Sequence, residues 1–172
     1  MDKAERMSKL PPYLFAEIDR KKAEAKAKGV DLVHLSVGDP DQPAPAAVVV
    51  ALQKADADPA LGHYPESVGS VQFRQAAAAW YERMFQVQVD PHREITALIG
   101  SKEGIGQVCL AFLNPGDLAL VLDLAYPAYY SGVVLAGGVP HSMPLVAEKG
   151  FLPDLEAIDT DTARRAKIMF LN

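Results

Sequence analysis

The chain has 172 residues, of which 49% are hydrophobic, and a formal net charge of -5 at pH 7. This is enough apolar material for one sizeable core, while the acidic balance with interspersed charges argues against nucleic acid as a partner. Apolar runs such as residues 118–122 are far shorter than the roughly 20 residues that cross a bilayer, so we expect no membrane span.

Cysteine usage points to a reducing compartment. Cys109 is the sole cysteine, so an internal disulfide is impossible. Its apolar neighbours in the sequence favour an inert buried thiol over a nucleophile. The first six residues alternate in charge and precede no apolar segment of the kind found in secretory signals. Together these features predict a cytoplasmic protein.

The first part of the chain predicts two helices separated by a strand and a loop. Residues 13–28 carry apolar positions at helical spacing and predict a helix. Residues 30–37 alternate and predict a short strand, and the Gly- and Pro-containing residues 38–43 predict a loop. A helix over 44–57 follows from composition, with Pro45 in its first turn.

From residue 59 onward, apolar runs alternate with helical segments. A loop over 59–67 precedes a helix over 68–85 whose apolar side is predicted to face inward. Four buried strands are predicted, over residues 95–99, 118–122, 139–143 and 167–171. Two helices are predicted between them, over residues 103–113 and 126–136. This alternation predicts an α/β fold with a mostly parallel sheet.

The last predicted strand runs directly to Asn172. A strand inside a parallel sheet needs a crossover connection after it to return across the sheet. We therefore expect the chain to be a truncated part of a larger α/β domain.

A chemical motif, Gly-Ser-Lys-Glu-Gly, occupies residues 100–104 between a predicted strand and a predicted helix. Backbone amides at a helix N-terminus, a hydroxyl and an ammonium group together form a cradle for a phosphate. From the local sequence alone, an ordinary serine cap beside a solvated lysine explains the motif equally well.

A second motif, Asp-Leu-Ala-Tyr-Pro, occupies residues 123–127 after the next predicted strand. The C-terminal ends of neighbouring parallel strands share one edge of a sheet, where ligands bind in α/β proteins. Ser101 and Tyr126 are therefore predicted to lie close together at that edge. An aromatic face beside an anion cradle suits a flat, phosphorylated heterocycle, and packing of Tyr126 and Tyr129 against the helix start is the alternative.

These segments resemble the class I and II aminotransferases, which depend on pyridoxal 5′-phosphate (PLP), and most closely those that act on LL-diaminopimelate or related amino acids. The resemblance rests on five segments in the family's order: LPPYLFAEI, SVGDPDQPAPAAVVVAL, HYPESVGSVQFRQAAAAWY, GSKEGIGQVCLAFLNPGD and DLAYPAYYSGVVLAGG. It implies a PLP-transferase-like (fold type I) three-layer α/β/α large domain with a mostly parallel sheet, truncated before completion. It further implies that residues 1–45 are an N-terminal arm and small-domain segment, and that 46–172 are the N-terminal half of the PLP-binding large domain.

The resemblance assigns roles to five residues. It implies that Ser101 and Lys102 hold the cofactor phosphate and that Tyr126 stacks on the pyridine ring. Tyr64 matches a tyrosine that reaches the cofactor phosphate of the other subunit, which implies a homodimer. Gly38 matches a loop glycine whose backbone approaches the substrate carboxylate, where a side chain would obstruct the substrate.

The chain also departs from the family's pattern. Leu124 stands where the family usually has a proline, which leaves the path of the loop before Tyr126 open. The Schiff-base lysine, the aspartate at the pyridine nitrogen and the arginine that clamps the substrate carboxylate would all lie beyond Asn172. We therefore expect the isolated chain to have no transaminase activity.

The implied function is transfer of an amino group from an amino acid to a 2-oxo acid, with LL-diaminopimelate, and hence lysine biosynthesis, as the first candidate. Alanine, aspartate or an aromatic amino acid are the other candidate substrates. Another fold type I enzyme, such as a lyase or an acyltransferase, and a non-catalytic fragment or binding module are the alternatives. No metal site is expected, because the four histidines are scattered without ligand spacing.

Overall fold

The computed structural model describes residues 2–35, 38 and 40–172. Contacts divide the chain into two compact units, one formed by Met1–Pro11 with Leu98–Asn172 and the other by Pro12–Ala97. The domain boundary expected between residues 45 and 46 stays a prediction.

The described residues form six α-helices and three strands. The helices are α1 (Leu14–Ala27), α2 (Ala46–Asp56), α3 (Val71–Phe85), α4 (Ser101–Phe112), α5 (Pro127–Leu135) and α6 (Thr160–Arg165). The strands are β1 (Leu118–Asp123), β2 (Val139–Pro144) and β3 (Ala166–Phe170). Short 3₁₀ turns occupy Glu5–Lys9, Pro59–Leu61, Ala147–Lys149 and Leu155–Ala157. No described helix is both long enough and apolar enough to cross a membrane.

The unit that contains residues 98–172 is built on a parallel sheet. β1 lies in the centre, paired with β2 on one side and with β3 on the other. The three strands predicted over 118–122, 139–143 and 167–171 are confirmed, as is their parallel direction. The helices predicted on either side of β1 are also confirmed.

Both faces of β1 are buried, which explains its continuous apolar sequence. On one face, Ala119 and Val121 pack with residues of α4, α5 and the turn after α4: Cys109, Leu113 and Val133. On the other face, Leu120 and Leu122 pack with Met143 of β2. A parallel sheet needs such cover on both faces, and its strands therefore lack polar alternation.

α4 and α5 approach closely at Gly132. A Cβ atom added at Gly132 would lie 3.0 Å from the Cys109 sulfur. Cys109 is fully buried, with 0% exposure, and this burial raises the pKa of its thiol. The prediction of a buried, inert thiol rather than a nucleophile is consistent with both observations.

The strand predicted over 95–99 does not form, and this prediction was wrong. The Ala97 N–H donates to the Val68 carbonyl at 2.9 Å within a loop, and Ile99 is 97% exposed. Both sides of β1 are already occupied by β2 and β3. Among the described residues, no strand pairs with this segment, so its apolar sequence alone does not make it a strand.

The unit formed by Pro12–Ala97 contains α1, α2 and α3. The helices predicted over 13–28, 44–57 and 68–85 are confirmed, with α3 beginning after Ser70, whose hydroxyl accepts from the Phe73 N–H at 3.2 Å. Residues 30–35 of the predicted strand have no regular structure, and residues 36 and 37 of that prediction lie outside the described residues.

The apolar side of α3 is exposed in the structure, contrary to prediction. Trp80 and Phe85 pack on one another at the helix surface, with ring centroids 5.3 Å apart, and Tyr81 lies beside both. The buried residue of this helix is Arg74, at 5% exposure. Apolar periodicity therefore identifies the helix but not the side chain that the unit encloses.

Candidate functional site

The candidate site lies at the C-terminal edge of the sheet. Because the three strands are parallel, the residues that follow each of them emerge at this edge. α4 turns back into β1 through the turn at Asn114–Asp117, so the N-terminus of α4 lies on the side where β1 ends. Ser101, which begins α4, and Tyr126, which follows β1, therefore share this edge, although the strand over 95–99 from which this was predicted does not form.

Lys102 and Tyr126 are brought together directly. The Lys102 ammonium lies 5.7 Å from the centroid of the Tyr126 ring, within the range of a cation–π interaction. Tyr126 immediately precedes α5, and Pro127 fills the first position of that helix. A proline there suits the first helical turn and restricts the residue before it to extended backbone, as found at Tyr126 (φ −60°, ψ 122°).

Tyr126 also belongs to a series of aromatic contacts with Tyr129 and Phe170. Its ring meets Tyr129 edge-on, with centroids 5.8 Å apart, and Tyr129 stacks on Phe170 of β3 at 4.8 Å. The Tyr129 hydroxyl donates to the Asn172 side-chain oxygen at 3.3 Å. Packing of Tyr126 against the helix start therefore exists alongside its contact with Lys102, and the two interpretations of this residue are compatible.

The start of α4 is open to an anion. Gly100, not Ser101, is the N-cap residue, and no side chain among the described residues caps the helix there. The alternative of an ordinary serine cap is therefore wrong. A Cβ added at Gly100 would meet nothing within 4 Å, so space is open beside the N–H groups that a helix leaves unpaired in its first turn.

Glu103 organises this turn, a role that the sequence reasoning missed. One of its carboxylate oxygens accepts from the Ile99 N–H at 2.7 Å, and the other accepts from the Gln107 side-chain amide at 2.8 Å. The carboxylate is thus tied to the chain that enters the helix. A glutamate three residues after the cap is the spacing of a capping box and is the signal that could have found it.

A cleft of about 350 Å³ lies beside Tyr126 on the β2 side of the sheet. Its lining includes Leu124, Tyr126, Tyr130 and Ser142. Ser101 and Lys102 do not line this cleft. Leu124 is 83% exposed and has a positive φ of 64°.

Tyr64 and Gly38 belong to the unit formed by Pro12–Ala97. The Tyr64 side chain is fully exposed, at 102%. Gly38 is also exposed, and a Cβ added there would meet nothing within 4 Å. The roles inferred for these two residues, like those of Ser101, Lys102 and Tyr126 toward a cofactor, stay predictions.

Comparisons with known proteins identify the family and agree with the fold. The family model described as "Aminotransferase class I and II" matches residues 30–172. The LL-diaminopimelate aminotransferase of Syntrophobacter fumaroxidans is 54% identical over 170 residues, covering 99% of this chain and 44% of that protein. The enzyme of the same name from Moorella thermoacetica is 52% identical over 172 residues, covering 100% of this chain and 44% of that protein.

Solved structures give the same result. The substrate-bound BacF structure from Bacillus subtilis superposes with a TM-score of 0.90 at 34% identity, covering 100% of this chain and 44% of that one. The predicted fold class is thereby confirmed. The chain spans less than half the length of the curated relatives it matches.

Proposed function

This chain belongs to the class I and II aminotransferases, and on that premise we propose that it forms the phosphate- and ring-binding part of the cofactor site of an LL-diaminopimelate aminotransferase. The family is PLP-dependent, and its members use amino acids and 2-oxo acids and are typically dimers. The observation that carries the proposal is the Lys102 ammonium, 5.7 Å from the centroid of the Tyr126 ring beside the open start of α4.

The residues at this edge fit a phosphorylated aromatic cofactor. A phosphate needs donors and positive charge, and the uncapped first turn of α4 supplies N–H groups together with the positive end of the helix dipole. Ser101 adds a hydroxyl and Lys102 an ammonium group at that turn. The Tyr126 ring supplies an aromatic face close to the same ammonium group. The two halves of the cofactor, anionic and aromatic, thus have matching neighbours.

Each residue has a distinct task in this proposal. Ser101 and Lys102 bind the phosphate, and Tyr126 covers one face of the pyridine ring and excludes water from it. Tyr64 donates its hydroxyl to the phosphate in the partner subunit, and Gly38 leaves room for the substrate carboxylate. The bound cofactor supplies the electron sink that makes removal of the amino acid's α-proton feasible, while the protein supplies orientation and electrostatics.

The proposed reaction moves an amino group from LL-diaminopimelate to a 2-oxo acid. The names of the two curated relatives described above support this choice over alanine, aspartate or aromatic donors. We further propose a homodimer in the cytoplasm, where the single buried cysteine, Cys109, suits a reducing environment. Purified full-length enzyme supplied with each donor in turn tests the substrate: LL-diaminopimelate should be consumed fastest, and preference for another donor would reject it.

Cofactor affinity tests the site itself. In the full-length enzyme, Tyr126→Ala should weaken PLP binding by about 1 to 3 kcal/mol, the scale found when alanine replaces an aromatic side chain that stacks on a base. Absorbance titration with PLP measures this affinity. Tyr81→Ala, at an exposed position of α3 in the unit formed by Pro12–Ala97, is the matched control and should leave the affinity unchanged. Equal affinities in the wild type and in Tyr126→Ala would remove Tyr126 from the cofactor site.

A further inference from the structure

We propose that Arg74 is a positioning residue for Tyr64 and, through Tyr64, for the cofactor phosphate of the partner subunit. The inference rests on the proposed function, which gives Tyr64 that contact. It is independent of the residues at the sheet edge, because Arg74 and Tyr64 both lie in the unit formed by Pro12–Ala97.

Arg74 is a buried cation whose donors are directed at loop backbone. Its side chain is 6% exposed, although most of α3 around it is exposed. Its Nε donates to the Gly69 carbonyl at 3.1 Å, and one terminal nitrogen donates to the Pro91 carbonyl at 2.6 Å. The other terminal nitrogen faces a carboxylate oxygen of Glu66 at 3.5 Å.

Burying a guanidinium is unfavourable unless its donors are paired, so the bonds that it makes show what the residue secures. Here the two short bonds go to carbonyls 22 residues apart in the chain, at Gly69 and Pro91. Arginine presents its donors in a rigid planar fork, whereas lysine has a single ammonium group that cannot reproduce that fork. Arg74 therefore fixes the position of one loop relative to the other.

Residues 66–69, the loop that Arg74 contacts, are also held by backbone hydrogen bonds. The Gly69 N–H donates to the Glu66 carbonyl at 2.9 Å, and the Ala97 N–H donates to the Val68 carbonyl at 2.9 Å. Gly69 has a φ of +85°, and a Cβ added there would lie 2.3 Å from the Ala97 Cβ. Residues 66–69 thus form a tight, anchored turn.

Tyr64 precedes this anchored turn by two residues. Its side chain is fully exposed, at 102%, so packing within its own unit does not set its position. The position of the hydroxyl is set by the backbone, which Arg74 holds at the Gly69 carbonyl and which the Gly69 N–H ties to the Glu66 carbonyl. Replacing the Arg74 guanidinium should therefore weaken the contact that Tyr64 makes with the phosphate in the partner's site.

Three homodimeric variants of the full-length enzyme measure the first consequence. Because a hydrogen bond to a charged group contributes about 1.5–3 kcal/mol, Tyr64→Phe should raise the Kd for PLP about 10- to 100-fold. Arg74→Lys should raise it about 10-fold, since the tyrosine is displaced rather than removed. Arg83→Lys, the same change at an exposed position of α3, is the matched control and should leave the Kd unchanged.

The double variant separates positioning from a general structural role. If Arg74 acts through Tyr64, Arg74→Lys combined with Tyr64→Phe should bind PLP no more weakly than Tyr64→Phe alone. Additive increases in Kd would overturn the inference. Arg74→Gln, which keeps a donor without burying a charge, takes the place of Arg74→Lys if the lysine variant does not yield a folded dimer.

Hybrid dimers give the decisive test. One subunit carries Arg74→Lys and the other carries Tyr126→Ala, each with its own affinity tag, and PLP is titrated by absorbance. If Arg74 serves the partner's site, both defects fall on one site and the other site binds PLP with wild-type affinity. If Arg74 serves its own subunit, each site carries one defect and neither binds with wild-type affinity, which overturns the inference.

A parallel hybrid of Tyr64→Phe with Tyr126→Ala distinguishes the proposed function from the inference about Arg74. One wild-type site in this hybrid but none in the Arg74 hybrid rejects the role of Arg74 and leaves the proposed function intact. No wild-type site in the Tyr64 hybrid rejects the contact of Tyr64 across the dimer, and the inference about Arg74 falls with it.

Discussion

Gly69→Ala tests whether the turn that precedes α3 is as tightly constrained as its geometry indicates. Gly69 has a φ of +85°, and an added Cβ would lie 2.3 Å from the Cβ of Ala97. An L-residue in left-handed backbone costs roughly 1–2 kcal/mol. The methyl contact is more than 1 Å shorter than an optimal carbon–carbon separation of about 3.5–4.0 Å, and such overpacking costs about 1–3 kcal/mol. The two costs sum to about 2–5 kcal/mol, from which the reduced entropy of the unfolded chain subtracts about 0.4–1 kcal/mol.

Gly29→Ala is the matched control for the steric part of this decrease. Gly29 lies in the same unit and has a φ of +74°, but a Cβ added there would meet nothing within 4 Å. The backbone cost and the reduced entropy of the unfolded chain, worth about 0.4–1 kcal/mol in the opposite direction, are common to both variants and cancel in their comparison. The remaining difference of about 1–3 kcal/mol is the overlap with Ala97.

Urea unfolding followed by tryptophan fluorescence measures this difference. The chain has one tryptophan, Trp80, and it lies in α3, two turns beyond the start of the helix that Gly69 precedes. The signal therefore reports on the unit that contains both substitutions. If Gly69→Ala and Gly29→Ala lower the free energy of unfolding equally, the close approach of Gly69 to Ala97 is not a feature of the folded protein.

Two further predictions concern the unit that contains the sheet. Leu120 is 3% exposed on the central strand, so Leu120→Ala should lower the free energy of unfolding by about 2–5 kcal/mol; Leu110→Ala, at 67% exposure, should cost far less, and circular dichroism during urea unfolding compares them. The Asn114 N–H donates to the Asp117 carboxylate at 2.9 Å, and this bond lowers the pKa of Asp117. A lowered pKa stabilises the fold at pH values above the ordinary aspartate value of 3.8, and this stabilisation is lost as the pH falls through the lower folded value. At neutral pH the wild-type protein should therefore unfold at a higher urea concentration than Asp117→Asn, and in strong acid the two midpoints should converge. A difference between the midpoints that does not change with pH would refute this role of the Asp117 carboxylate.

The parts of the fold that the sequence predicted are those governed by local pattern. β1 is a continuous apolar run because both of its faces are buried, and a turn at Asn114–Asp117 marks where it begins. The helices around it follow from their composition and spacing. Lys102 lies beside Tyr126, although the strand predicted over 95–99 does not form; the start of α4 reaches this edge because α4 turns back into β1, and Tyr126 reaches it because it follows β1.

The failures concern contacts between residues far apart in the chain. An apolar run such as 95–99 becomes a strand only where a partner strand is present, and β1 is paired on both sides. The periodicity of α3 predicted a buried apolar side, whereas the enclosed side chain is Arg74. The burial of Arg74 depends on the carbonyls of Gly69 and Pro91. No local sequence pattern predicts that these two carbonyls will accept from one guanidinium.

Leu124 explains how one departure from the family's pattern is accommodated beside the candidate site. Its φ of 64° is closed to proline, whose ring holds φ near −65°, so the loop follows a path that a proline at this position could not take. Tyr126 comes two residues later and is fixed independently, by Pro127 at the start of α5 and by its edge contact with Tyr129. With leucine at this position, Tyr126 lies beside Lys102, because its ring is held by contacts that do not involve residue 124.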